Sequence, residues 1–228
     1  ELVEDSNEIL APGQIRNSNG PFLSSMLRIH EYRLEHGGTI LDDPALFENK
    51  MREKLARTDI IISTGAVSAG KHDFIPDSLI RLGAKILFHK VSVRPGKPIL
   101  YARFKDGQHY FGLPGNPISA ATCLRFFVMP LLRHIQSLPQ EIPLQTILHH
   151  DIHKKPGMRF FRKAHLSMTE TGSPKLRILE GQQSFKIKPM LDANCWAVLD
   201  EEHDGTREGG NVQVYPLISA NPIFEGLI

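Results

Sequence analysis

Residues 110–135 read YFGLPGNPISAATCLRFFVMPLLRHI. An apolar run stops at Pro114 and Gly115, and apolar residues then recur at Ala121, Leu124, Val128, Leu131 and Ile135, the spacing of one helix face. A strand therefore ends where a helix begins. Gly115 turns the backbone without a Cβ, Asn116 suits the N-cap, and Pro117 suits the first helical position. In open α/β sheets, ligands collect at such carboxyl ends, and the amides of a helix N-terminus attract anions there. The same residues would also serve a turn that binds nothing.

Upstream, the alternation of helix and strand continues. Asn17, Ser18 and Asn19 offer caps to a helix whose apolar residues Phe22, Leu23, Met26, Leu27 and Leu34 run until Gly37 and Gly38. GGTIL reads as a short strand, and Asp42 and Asp43 before Pro44 predict a second helix to about Arg57. DIIIST (59–64) has no alternation, the pattern of a strand covered on both faces of a parallel sheet. A short helix from Pro76 to Leu82 is expected next. Strands follow in AKILFHKVSV (84–93), KPILYARF (97–104) and HYFGL (109–113), the last two joined by the KDGQ turn.

After SLPQEIP (137–143) the long helical patterns give way to short strand-like runs. LQTILHH, RFFRKAHLSM, PKLRILE, CWAVLD and NVQVYPL predict a small antiparallel β domain or barrel. The expected organisation is an α/β domain over 1–139 and a β domain over 143–228.

Composition excludes several classes. In 228 residues, 27 Lys plus Arg against 25 Asp plus Glu leave a formal charge of +2, so no nucleic-acid arm is advertised. The two cysteines, Cys123 and Cys195, are too few for a disulfide framework or a zinc site and read as buried thiols in a reducing compartment. No N-terminal leader and no apolar run near 18 residues is seen, so a cytoplasmic protein without a membrane span is the expectation. The abrupt opening at ELVEDSNE suggests that the chain continues upstream.

Two further turns share the character of the first. In STGAVSAGKHDF (63–74), Ser63, Thr64, Gly65, Ser68 and Gly70 supply hydroxyls and close backbone approach, and Asp73 supplies a carboxylate for a metal or for acid/base work. VRPGKP (93–98) sets Arg94 and Lys97 on either side of a rigid turn, where both could face one anion. Each has a bland alternative, a connecting loop and a solvated pair of charges. His149, His150 and His153 lie near the domain boundary and lack the flanking cysteine or carboxylate pattern of a zinc site, so they do not read as metal ligands.

GQIRNSNG, STGAVSAGKHDF, VRPGKP and FGLPGNPIS, in that order, resemble the molybdopterin molybdenumtransferase (MoeA) family, whose homologues include the C-terminal domain of gephyrin. GMRFFRKAHL and the stretch from Gly181 to Leu217, with its Gln182–Ser184 and Ala193–Asn194 elements, resemble the family's C-terminal β domain. The resemblance implies a three-layer, MogA-like molybdopterin-binding α/β domain followed by a barrel-like all-β domain. It also implies a reaction: molybdate is inserted into adenylated molybdopterin, AMP is released, and a divalent cation, usually Mg2+, is required. By motif match, Asn17, Ser18 and Asn19 would line the ligand cleft, and Thr64, Gly65, Val67 and Ser68 would approach the pterin or its phosphate. Asp73 would hold the metal near the scissile phosphate. Arg94 and Lys97 would take the oxyanion, Gly115, Asn116 and Ser119 would form the helix-terminus site, and Lys163 or Arg162 with Ser184 would complete the molybdate end.

Departures from the family pattern bear on this. Ala66 stands for a glycine, Ala69 is small, Lys71 stands where an acid is common, and Arg94 replaces a lysine. Of the family's TGDEL only Glu1 and Leu2 are present, so two upstream domains that help form the relatives' dimer and cleft are expected to be missing, and the chain alone is expected to be inactive. A homodimer of the full-length protein and a molybdopterin adenylyltransferase partner are implied as well. The competing readings are a non-catalytic molybdopterin-binding or scaffolding module of the same fold, and adenylyl transfer to molybdopterin.

Overall fold

The computed structural model describes residues 2–4, 7–28, 32–65, 67, 73–202 and 204–218. In chain order, the first elements are β1 (Leu2–Val3), β2 (Ile15–Arg16), α1 (Asn19–Arg28), α2 (Pro44–Leu55), β3 (Ile60–Thr64) and α3 (Ile75–Arg81). Then come β4 (Lys85–His89), β5 (Val93–Arg94), β6 (Leu100–Arg103), β7 (His109–Leu113) and a helix, α4 (Pro117–Ile135), that is π-helical over Leu124–Val128. The remainder is β8 (Leu144–Ile147), β9 (Ile152–His153), β10 (Arg159–Met168), β11 (Pro174–Ile178), a 3-10 turn at Lys188–Leu191, β12 (Cys195–Leu199), β13 (Gly205–Thr206) and β14 (Asn211–Pro216). The chain forms two compact units, Glu1–His89 with Pro98–Gly115, and Lys90–Lys97 with Asn116–Ile228.

In the first unit the sheet order is β3-β7-β6-β4, with β3 parallel to β7 and the other neighbours antiparallel. Side chains two apart share a face, so Ile61, Tyr110, Leu100, Ala102 and Ile86 meet Phe47 and Met51 of α2 and Ile75 and Leu79 of α3 in one cluster. Full burial of a side chain such as Leu79 contributes about 1.5–3 kcal/mol. Asp43 caps α2 as expected, its carboxylate accepting from Leu46 N at 2.9 Å. Three expectations are corrected. GGTIL forms no strand, residues 32–37 are not helical, so the helix does not run to Gly37, and β3 is half-buried at a sheet edge rather than covered on both faces. Branched side chains favour the strand but do not choose its place in the sheet.

In the second unit the sheet order is β11-β10-β12-β14-β8, antiparallel throughout, with β5 added in parallel to the start of β10. A bridge between Leu148 and Leu176 joins the two ends, so the sheet curls on itself around Leu148, Leu166, Leu176, Ala197 and Val214. Closure satisfies edge groups that an open sheet would leave exposed.

Helix α4 belongs with this β-rich unit by its contacts, whereas the sequence boundary sets it with the α/β part. The reason lies in its π-helical turn. Phe126 stacks on Phe161 at 4.1 Å between centroids and meets Trp196 and Tyr215 edge-on at 6.2 and 5.4 Å. The buried guanidinium of Arg125 donates to Pro216 O at 3.0 Å and to Glu141 at 2.5 Å. By length and apolar composition α4 could cross a membrane, but more than half of it is buried inside the protein, as a core helix is.

Candidate functional site

In the first unit, the carboxyl ends of β3 and β7 lie side by side because the strands pair in parallel with Thr64 opposite Leu113. Gly65 N donates to Leu113 O at 3.2 Å, and a Cβ on Gly115 would stand 3.3 Å from Gly65 Cα. Gly65, at φ 93°, holds a backbone conformation that favours glycine. The two glycine turns thus expose backbone at one place. Val67 is buried over the sheet, and Gly112 leaves it room: a Cβ there would be 2.6 Å from Val67 Cγ1.

The N-terminus of α1 reaches the same place. Asn17 Oδ1 accepts from Gly20 N at 3.0 Å while its amide donates to Glu4, and Ser18 O accepts from Phe22 N at 3.2 Å. Asn19 donates from Nδ2 to Gly115 O at 2.8 Å. Only the NH2 end can bond a carbonyl, so Asn19 Oδ1 is the other end, and it is buried without a donor among the described residues. A buried acceptor in that state costs free energy unless a ligand or water supplies a donor. Asn17, Ser18, Asn19, Thr64, Gly65, Val67 and Gly115 are therefore assembled in one region of this unit.

Asp73 Oδ1 accepts from Ile75 N at 3.3 Å, and Oδ2 lies 3.9 Å from His89 Nε2. Nearby, Ser63 Oγ and Tyr110 OH share a 2.5 Å hydrogen bond, and burial, offset in part by that bond and reinforced by the Asp73 charge, pushes the Tyr110 hydroxyl well above its ordinary range. Tyr110 stays protonated. Among the described residues no group of three His, Cys, Asp or Glu side chains could hold a metal. The Asp73 carboxylate is a hard oxygen donor of the kind that Mg2+ takes, one or two at a time, together with substrate phosphates. His89 carried no sequence signal, since only the β4 register brings it to Asp73. Ser68, Ala66, Ala69 and Lys71 lie outside the described residues.

In the second unit, β5 pairs with β10 so that Arg94 lies opposite Phe160. The guanidinium carbons of Arg94 and Arg162 stand 5.7 and 4.9 Å from the Phe160 ring centroid. Burial, and then the Arg94 charge, lower the Arg162 pKa from its usual value. Neither arginine, nor exposed Lys97, makes an ion pair among the described residues. Phe160, Arg162 and Ala164 share one face of the strand, and Phe161 and Lys163 share the other.

The Arg94–Lys97 turn rests on α4. Gly96, at φ 110°, comes so close that a Cβ would lie 2.9 Å from Cys123 Sγ and 3.9 Å from Ser119 O, and the Cys123 thiol donates to Gly96 O at 3.5 Å. Asn116 holds the N-cap position as expected, but its side chain makes no capping bond. Instead Ile118 N donates to Ser184 O at 3.0 Å, bringing the Gln182–Ser184 loop to the helix start beside Ser119. Lys163 departs from its expected place. Its ammonium is fully buried and donates to Gly181 O at 2.7 Å and Lys186 O at 3.0 Å, so it presents no charge to a ligand, and Arg162 is the β10 cation beside Arg94.

Known proteins resemble this chain. A family model described as a probable molybdopterin binding domain matches residues 3–134, and one described as the MoeA C-terminal region, domain IV, matches residues 145–217. The chain belongs to the MoeA family. Relatives in this family include the molybdopterin molybdenumtransferases of Synechococcus elongatus, 33% identical over 95% of this chain and 53% of that protein, and of Staphylococcus aureus, 32% identical over 92% and 50%. The crystal structure of the molybdopterin biosynthesis MoeA protein from Pyrococcus horikoshii superposes with a TM-score of 0.74 at 26% identity, covering 95% of this chain and 52% of that one. The chain thus spans about half the length of the relatives it matches. The MogA-like α/β part and the β-rich C-terminal part are those of the family.

Proposed function

We propose that the protein takes part in the insertion of molybdenum into adenylated molybdopterin with release of AMP, a reading supported by relatives named molybdopterin molybdenumtransferases. The observation that carries this reading is the pair Arg94 and Arg162 at the Phe160 ring, two cations of which neither has a carboxylate partner among the described residues. Like charges held together ask for an anion, and two planar guanidiniums with Lys97 suit a tetrahedral oxyanion. Asn116, Ser119 and Ser184 add backbone and hydroxyl donors at the helix start.

On the first unit, Gly65 and Gly115 let a pterin phosphate approach the backbone, Thr64 and Val67 border it, and Asn17, Ser18 and Asn19 bind and orient the ligand. Asp73 is the residue that would hold Mg2+. That ion, when bound, neutralises charge on the scissile phosphate. The chain's own groups act by positioning and by electrostatic stabilisation, since the chemistry needs no strong nucleophile. A homodimer and delivery of substrate by a molybdopterin adenylyltransferase are part of the same proposal.

The test is AMP release by the intact protein from adenylated molybdopterin and Mg2+, with and without molybdate, beside Asp73→Asn and Arg162→Ala. Molybdate-dependent release lost in both variants supports the insertase. Ligand binding without AMP release would leave a binding or scaffolding module instead.

A further inference from the structure

Lys163 is a fully buried lysine without a carboxylate partner among the described residues. Burial disfavours its charged form and lowers its pKa, with Lys186 adding repulsion. If the position were needed only for packing, an apolar residue of similar length would avoid that cost. What the ammonium holds is one loop: the carbonyls that accept from it, Gly181 O and Lys186 O, flank Ser184. The backbone of Lys163 grips the same loop from the other side. Lys163 N donates to Gln182 Oε1 at 3.0 Å, and Gln182 Nε2 returns bonds to Lys163 O at 2.9 Å and Leu179 O at 2.6 Å. Ser184 O then meets Ile118 N at the start of α4.

We infer that Lys163 is a positioning residue for oxyanion recognition, acting through the 181–186 loop to set Ser184 at the α4 N-terminus. The inference rests on the oxyanion reading given above for this unit, but it assigns a residue role that the reading does not need. Lys163 shares β10 with Arg162 while pointing to the opposite face. One strand therefore supplies a cation on one side and fixes the loop that carries the hydroxyl on the other.

The experiment titrates molybdate alone, with sulfate as comparator, into the intact protein and its Lys163→Met, Ser184→Ala, Gln182→Ala and Lys163→Met/Ser184→Ala variants, far below their melting temperatures. Backbone amide exchange over 181–186 is followed in the same samples. The expected result is a roughly tenfold rise in molybdate half-saturation for Lys163→Met, the size of one lost polar contact. The double variant should be no weaker than Ser184→Ala alone, and loop amides should exchange faster in Lys163→Met and in Gln182→Ala. Gln182→Ala keeps the buried ammonium paired and covers the case in which Lys163→Met does not fold.

Unchanged molybdate binding in the two loop variants, while Ser184→Ala weakens it, overturns the positioning role and leaves the oxyanion reading standing. Failure of the parent itself to bind molybdate overturns both.

Discussion

The Asn19 amide donates to the Gly115 carbonyl at 2.8 Å, joining the start of α1 to the turn after β7 across 96 residues of chain. The same bond fixes which atom of Asn19 is left buried and without a donor among the described residues. Asn19→Leu removes both the anchor and the open acceptor. A stability loss of about 1–2 kcal/mol is expected from the unpaired Gly115 carbonyl, measured by urea unfolding. Binding of adenylated molybdopterin should weaken by roughly tenfold or more, and a variant with unchanged affinity would remove Asn19 from the ligand site.

Gly96 and Cys123 pack so closely that the turn carrying Arg94 and Lys97 depends on both being small. Gly96→Ala meets a sulfur at 2.9 Å and a φ of 110° that an L side chain resists. The expected loss is about 1–3 kcal/mol. Cys123→Ala in the same background should restore only part of it, because the steric clash is relieved while the backbone strain remains. Full restoration would show that strain is absent.

Arg125 is a buried charge whose carboxylate partner is Glu141, with the Tyr215 and Phe126 rings also against the guanidinium. Glu141→Ala leaves that charge uncompensated and should cost about 3–5 kcal/mol. Arg125→Met combined with Glu141→Leu should cost much less than the sum of the single changes, since an apolar pair has no desolvation penalty. Strict additivity in thermal unfolding would refute the coupling.

Stability should also depend on pH through His109, whose Nδ1 meets the Tyr101 hydroxyl at 2.8 Å. Burial first, and Arg103 second, lower its pKa from 6.5. Because the folded value lies below the unfolded one, the unfolded chain takes up the proton first as pH falls. Stability attributable to His109 is therefore complete above pH 6.5 and declines as pH drops from there toward the folded value. His109→Phe should flatten that slope in chemical unfolding measured between pH 5 and pH 7.5.

Much of this was legible in the chain itself. RFFRKAHLSM is β10 from end to end, the KDGQ turn joins β6 to β7, and FGLPGNPIS ends a strand and opens a helix where expected. Each of these signals is local: turn residues with a required backbone geometry, or a period of two or 3.6 written over successive side chains. GGTIL failed by the same logic, because an apolar pair beside glycines becomes a strand only if a neighbouring strand supplies its hydrogen bonds.

The sequence by itself determined the family, the order of elements and the residue types gathered in the three turns, since those depend on nearest neighbours along the chain. Tertiary structure decided which charge stands beside Arg94. Arg162 and Lys163 are adjacent cations of similar length, and the alternation of side chains along a strand sends one to Arg94 and the other beneath the Ser184 loop. Which of the two stands beside Arg94 depends on what packs against each face of β10, and that is settled only when β5 and the 181–186 loop have come to it from elsewhere in the chain.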